Sequence, residues 1–392
     1  MSKPTPPKAS MRREPPRLII ASSEESADML YATGLFVPDP FVLLVQDGRS
    51  TILLSDLEVD RGRREARVDE VLGLSEFAGE HKKLLGKNPT LAKVAALFLR
   101  SRRVRRAVVP ENFPLAMSMA LARYGVTVTP PRRGTFWPER QYKTPEELGH
   151  LRRALEITAI GMARGMEVLA AADLVGGKRA SSNAELRWGG ETLTSERLRA
   201  EIDTAILRLG GAAANTIVAG GEQACDPHER GSGPLRAGEL LIIDIFPRMV
   251  GTGYFGDLTR TVVKGRATDA QRKLWLTVQE GQRRAITGVQ TGADGQKLHD
   301  GVKKFFKDEG YPTETREGRH VGFFHGMGHG LGLELHEAPR YNHTRSFEEG
   351  TVLTVEPGLY FPGLGGVRLE DVVAVTAKGH KMLSDYEQRL EI

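Results

Sequence analysis

Apolar positions along the chain come in short runs divided by charged, helix-forming segments. Arg17–Ala21 reads as a first strand and Glu24–Ala32 as a helix. Phe41–Gln46 and Ser50–Leu54 flank Asp47-Gly48, a turn pair that tolerates positive φ, and so predict a hairpin. A charged helix follows over Asp56–Ala66, then an apolar-periodic helix over Leu91–Arg103 and a buried strand at Ala107–Val109. Leu115–Tyr124 is a helix stopped by Gly125, ahead of a strand at Val126–Thr129. Short strands alternating with helices predict a small α/β domain.

The texture changes at Pro130-Pro131, and the segment up to Pro138 reads as a linker. Thr144 is a helix N-cap followed by proline and two acids, so a helix should run from there to about Ala172. Gly176–Gly190 is polar and reads as a loop. Thr194 or Ser195 caps a second helix reaching Leu209. Glu239–Phe246 is a strongly apolar strand, Met249–Gly253 a turn, and Tyr254–Lys264 a returning strand. Two more helices, near Asp269–Thr287 and Asp294–Glu309, precede a glycine-rich stretch. A second strand pair, Val352–Glu356 and Val367–Thr376, closes the chain. Helix, helix and strand pair thus occur twice, which predicts an internal duplication in an α+β domain. The expected divisions are a disordered lead-in at 1–16, an α/β domain at 17–138 and the duplicated domain at 139–392.

Composition narrows the class. The 392 residues include one cysteine, Cys225, so no intrachain disulfide can form. No run approaches a membrane span, and Met1–Pro16 carries five prolines and no apolar stretch of a secretory signal. A cytoplasmic protein without a membrane partner is expected. The net charge of +5 is largely local, since residues 1–17 carry +4 of it. A basic tail does not make a nucleic-acid binder, and the arginines at 100, 102, 103, 105 and 106 read as a solvated helix end. His299 and His320 read as surface residues.

Four carboxylates stand out. Asp244 lies inside Leu240–Phe246, where a charge is costly unless it is paired or bound to metal. Asp257 follows on the returning strand. Glu356 ends the next strand, and Glu370 follows it at nearly the same spacing. Two matched pairs in one place would repel, and two divalent cations would neutralise them. Oxygen ligands with histidine suit Mn²⁺, Co²⁺, Fe²⁺ or Zn²⁺. Two such ions roughly 3.5–4 Å apart can generate hydroxide near neutral pH. Between the pairs lies His325-Gly326-Met327-Gly328-His329-Gly330-Leu331-Gly332-Leu333-Glu334-Leu335-His336-Glu337, with three histidines among glycines that let them turn inward. His228 sits in a loop sixteen residues before Asp244.

Together these segments resemble the pita-bread metallopeptidases, whose members include methionine aminopeptidase, prolidase and aminopeptidase P. The family's order of ligands, Asp, Asp, His, Glu, Glu, is matched by Asp244, Asp257, His329, Glu356 and Glu370. Asp257-Leu258-Thr259-Arg260-Thr261, Val355-Glu356-Pro357-Gly358 and Val367-Arg368-Leu369-Glu370-Asp371 are similar to its local patterns. A histidine four residues before His329, and an α/β domain ahead of the catalytic one, resemble the proline peptidases in particular. There are departures. The Asp244–Asp257 spacing is two residues longer than in common members, Leu335 replaces isoleucine or valine, and Gly176–Glu196 looks like an insertion.

The resemblance implies a fold, a cofactor and a reaction. The fold is an α/β N-terminal domain with an α+β pita-bread catalytic domain of duplicated helix-helix-hairpin halves. The cofactor is two divalent ions per subunit, manganese first, with cobalt, zinc or iron as alternatives. Asp244 would chelate one ion, His329 and Glu356 the other, and Asp257 and Glu370 would bridge them. A hydroxide between the ions would attack the carbonyl of the first residue of an Xaa-Pro peptide, with Glu356 taking the water's proton. His228 and His336 would hold the peptide and stabilise the oxyanion. His325 would support the site or the substrate. Arg368, two residues before Glu370, would orient that carboxylate or meet a substrate carboxylate. A homodimer is expected. Three alternatives stay open: a broader aminopeptidase, a non-peptide amidinohydrolase on the same scaffold, and a non-catalytic binding homologue. Ser232 lacks a nucleophile-elbow context. A Cys225 nucleophile would leave the carboxylates unexplained.

Overall fold

Leu18, Ile19 and Ile20 are all buried, so the strand Arg17–Ala21 is covered on both faces and lies inside its sheet. The computed structural model describes residues 15–392 except 88, 133, 178–180 and 182. The expected lead-in therefore lies almost wholly outside the described residues. Two compact units divide at Pro138, the second being Glu139–Ile392.

In the first unit six strands form one mixed sheet, in the order Glu70–Gly73, Arg49–Leu54, Phe41–Gln46, Arg17–Ala21, Arg106–Val108, Thr127–Thr129. The hairpin turns where the sequence placed it. Asp47 and Gly48 adopt φ of 50° and 78°, a left-handed pair whose twist matches the flanking strands. One core contains Leu18, Ile20, Phe98 and Leu121. The other contains Ile19, Met29, Leu43 and Trp137. Alternate side chains of one strand thus feed two cores, the mark of a sheet with both faces covered. Within the arginine cluster Arg102 is not simply solvated: its guanidinium pairs with Glu70 at 2.7 Å.

The second unit shows the duplication. Pro145–Ala171 begins with a full capping box of Thr144 and Glu147, and Ser195–Leu207 is capped by Thr194. An antiparallel sheet of Ile217–Gly220, Leu240–Ile245 and Leu258–Val263 follows. The second half repeats the order with helices Asp269–Gly288 and Gly295–Asp308. Then come antiparallel strands His329–Gly330, Val352–Val355 and Asp371–Thr376. Both helix pairs pack by one device. A Cβ at Gly161 would stand 2.6 Å from Ile206, and one at Gly281 would stand 2.5 Å from Phe306. The missing side chain lets a large partner seat against the helix backbone.

Three expectations are corrected. Val367–Thr376 is not one strand. Gly365–Arg368 pairs with Gly358–Phe361, Asp371–Thr376 pairs with Val352–Val355, and the chain breaks between them at Leu369-Glu370. Gly176–Gly190 is not simply a loop, because Leu186–Trp188 pairs with Asp173–Leu174 and Glu191–Thr192 in a small sheet. His299 is not a surface residue: its ring packs 5.0 Å from that of Phe323, and its Nδ1 is buried.

Candidate metal centre

The four carboxylates arrive from strand ends rather than strand middles. Asp244 is the next-to-last residue of Leu240–Ile245, and Asp257 immediately precedes Leu258–Val263. Glu356 immediately follows Val352–Val355, and Glu370 occupies the break before Asp371–Thr376. His329 stands on a two-residue strand that pairs Gly330 with Leu353. Gly328 makes this approach feasible. A Cβ there would lie 2.2 Å from the Thr354 carbonyl oxygen.

The two halves are stitched together at the site. The Glu370 N–H donates to the Thr259 carbonyl at 3.1 Å, and the Thr259 hydroxyl donates to the Glu370 carboxylate at 2.7 Å. Behind them Arg260 is almost wholly buried. It donates to Asp371 Oδ1 at 2.9 Å and to the carbonyls of Glu370 and Tyr386, both at 2.6 Å.

Asp257, His329 and Glu370 bring ligand atoms within 4.8 Å of one another. His329 Nδ1 lies 3.1 Å from the Gly330 carbonyl, which fixes the proton on that nitrogen. Its Nε2 therefore turns a lone pair toward Glu356 at 3.3 Å and Asp257 at 3.7 Å. Asp244 Oδ1 is buried without a hydrogen-bond partner among the described residues. A lone pair left so costs roughly 1–3 kcal/mol, and an ion would satisfy it. Burial, and then the charges of Glu370, Asp244 and Glu356, push Asp257 well above the usual carboxylate range. Burial and the charges of Glu356 and Asp244 do the same to Glu370. A cluster that must hold protons in order to exist without cations is a donor set suited to divalent ions.

All nine residues nominated from the sequence line one cavity of about 480 Å³. Their environments differ. His228 and His336 are exposed to its open space, and His336 is held down to about 4 by desolvation and the neighbouring His329. His325 has both ring nitrogens engaged, Nδ1 with the Gly326 carbonyl and Nε2 with the Tyr360 hydroxyl, each at 2.8 Å. Burial lowers it to about 4, so the neutral ring accepts from that hydroxyl. Arg368 turns to Asp244 rather than Glu370, donating to Asp244 Oδ2 at 2.7 Å and to the Tyr360 hydroxyl at 2.9 Å. Tyr360 and Arg340, a cation lining the cavity, carry no motif and escaped the sequence reading. Cys225 is buried, and its thiol is pushed up to about 11 by that burial and by Glu222. Very little of it is thiolate near neutral pH.

The sequence model of metallopeptidase family M24 matches residues 149–377. The chain belongs to this family. An Xaa-Pro dipeptidase of Pyrococcus furiosus is 36% identical over 192 residues, which take in 47% of this chain and 52% of that relative. The chain spans about half the length of the curated relatives it matches. Solved structures cover nearly all of it. An Xaa-Pro dipeptidase from Bacillus anthracis superposes with a TM-score of 0.79 at 21% identity, over 96% of this chain and 95% of that one. Aminopeptidase P from E. coli gives 0.73 at 23%, over 97% and 93%. At these identities the likeness is one of fold. The pita-bread architecture expected from the ligand order is the architecture of this M24 member.

Proposed function

We propose that this M24 protein hydrolyses the bond between a first residue and a following proline, using two divalent metal ions. The observation that carries the reading is the set Asp244, Asp257, His329, Glu356 and Glu370 around a single cavity, with Asp244 Oδ1 lacking a hydrogen-bond partner among the described residues. These five residues would hold the ions. When bound, the ions supply Lewis-acid activation of the peptide carbonyl and of water. Mn²⁺ is the proposed metal, since four of the five donors are carboxylates.

The chain's own groups do the rest. Arg368 fixes Asp244 in one orientation and is itself fixed by Tyr360. Glu356 accepts the proton lost by the attacking water. His336, neutral near pH 7, donates one N–H to the carbonyl oxygen as charge develops on it, with His228 at the open side. Phe246, Phe324 and Ile217 give the cavity an apolar wall that suits a pyrrolidine ring. An Xaa-Pro bond has no N–H, so recognition must come from such shape and from the peptide's ends.

Arg340 favours a dipeptide. It lines the same cavity and pairs with no carboxylate among the described residues. A free C-terminal carboxylate on the proline would meet it. The test is hydrolysis of Ala-Pro, Ala-Pro-amide and Ala-Pro-Ala by the Mn²⁺-loaded protein, with Met-Ala-Ser as control. Preference for Ala-Pro supports a dipeptidase. Preference for Ala-Pro-Ala points to an aminopeptidase P-like activity, and cleavage of the control alone removes the proline reading. A cytoplasmic homodimer is proposed with it. No helix among the described residues is long and apolar enough to cross a membrane.

A further inference from the structure

The reading above gives no role to a buried charge cluster of the second unit whose members are not among the residues lining the cavity. Glu337 is buried, and its carboxylate takes charged donors on both oxygens. Arg140 Nη2 reaches Oε2 at 2.6 Å, and Lys143 Nζ donates to Oε1. Lys143 is itself buried, with its ammonium also donating to the Arg140 carbonyl. Arg140 extends a second contact at 2.8 Å to the half-exposed Glu334.

The location of the carboxylate gives this cluster its consequence. Glu337 follows His336 directly and begins the strand Glu337–Arg340, whose register sets Glu337 opposite Gly330 and Arg340 opposite His329. The loop before it folds tightly over the carboxylate. A Cβ at Gly332 would lie 2.3 Å from Glu337 Oε1, and the Phe255 N–H donates to the Gly332 carbonyl at 2.9 Å. The ring of His336 stands 4.3 Å from that of His329 at 73°, on the cavity wall. Arg140 and Lys143 precede the first long helix of the unit, and the Lys143 N–H is tied to the Gly350 carbonyl at 2.8 Å. A rigid segment therefore grips the residue beside His336.

We propose that Lys143 and Arg140 are positioning residues that act through Glu337 to hold His336, and the strand that follows it, against the metal centre. This inference rests on the role given to His336 above. Removing one cation would leave a buried carboxylate under-compensated and free the loop to rearrange. His336 would then leave the carbonyl oxygen it must meet, and a displacement of about 1 Å can cost on the order of 100-fold in rate.

The experiment is a double-mutant cycle on Mn²⁺-loaded protein. Lys143→Met, Lys143→Arg, His336→Ala and the Lys143→Met/His336→Ala pair are compared for kcat/KM on Ala-Pro. Thermal melting and bound manganese are measured on each. Alongside, ethoxycarbonylation of His336 and His228 by diethylpyrocarbonate is timed by peptide mass spectrometry, a readout that needs no activity. The expected result is a loss of at least tenfold in Lys143→Met with manganese content kept, and recovery of most of it in Lys143→Arg. No further loss should appear when Lys143→Met is added to His336→Ala. Ethoxycarbonylation of His336, and not of His228, should quicken severalfold. Additive losses in the cycle, or an unchanged ethoxycarbonylation rate, would overturn the proposal. Should Lys143→Met not fold, Glu337→Gln, which keeps the shape and removes the charge, takes its place with the same expectations. Should the wild-type protein not cleave Ala-Pro, the proline reading fails by itself, and the ethoxycarbonylation rates alone decide the positioning role.

Discussion

Arg368 holds Asp244 by one carboxylate oxygen, Nη2 to Oδ2 at 2.7 Å, and the other oxygen is buried with no hydrogen-bond partner among the described residues. A ligand fixed in this way has one lone-pair direction left to offer. Arg368 is in turn braced by the Tyr360 hydroxyl, which also donates to His325 Nε2. Arg368→Lys keeps a charge and loses the planar two-nitrogen bridge. The expected cost is roughly 10–100-fold in metal affinity or kcat/KM, read by Mn²⁺ calorimetry and Ala-Pro hydrolysis. Tyr360→Phe should move both in the same direction by less.

Metal loading should stabilise the protein in a pH-dependent way. Asp257 and Glu370 titrate above their unfolded values when no ion is bound. Their contribution to metal-free stability is present at acid pH and lost as pH rises through the folded-state values. An ion removes that penalty by replacing the protons. The difference in Tm between Mn²⁺-loaded and stripped protein should therefore be small near pH 5 and grow toward pH 8, and binding in weak buffer should release protons. At a hundredfold excess over Kd the gain is about 2.7 kcal/mol per site. A difference that shrinks as pH rises would contradict the protonated cluster.

Arg260 predicts a structural loss. It bridges Asp371, the Glu370 carbonyl and the Tyr386 carbonyl from an almost fully buried position. Arg260→Met leaves Asp371 buried with one charge partner gone, an expected loss of about 3–5 kcal/mol. Urea unfolding of stripped wild-type and variant protein measures it without reference to activity.

Arg340→Ala should raise KM for Ala-Pro about tenfold or more while leaving Ala-Pro-amide nearly unchanged, because only the free acid presents a carboxylate to Arg340. Equal effects on both substrates would show that Arg340 contacts something else.

Cys225 should be slow to alkylate. With its thiol pushed up to about 11, fewer than about one in a thousand is ionised at pH 8. Iodoacetamide labelling of folded protein should trail that of urea-unfolded protein by orders of magnitude and leave Ala-Pro hydrolysis intact.

The candidate cluster was legible because Asp244 contradicts its own strand. An acid amid Leu240–Phe246 has no local reason to be there, and the same contradiction recurs at Glu356. The helix starts were equally plain, since Thr144, Thr194 and Asp294 cap by local rules. The break at Leu369-Glu370 was harder to read: the alternation of Val367–Glu370 slips at Asp371, but the slip alone does not say that the chain leaves one strand pair for another. Thr259, 111 residues away, decides it by binding the Glu370 carboxylate. Lys143 and Glu337 were hidden for the same reason, being 194 residues apart. Each looks like an ordinary surface charge until the fold buries it.

The central claim is that five residues hold two catalytic ions. The most direct measurement titrates Mn²⁺ into stripped protein, counting bound metal by atomic emission and following Ala-Pro hydrolysis in the same samples, with Asp257→Asn and Glu370→Gln beside it. Two ions per chain, activity that appears with loading, and failure of both variants to bind the pair are the predicted result. Undiminished hydrolysis in the stripped protein, or two variants that load and cleave like the wild type, would contradict it.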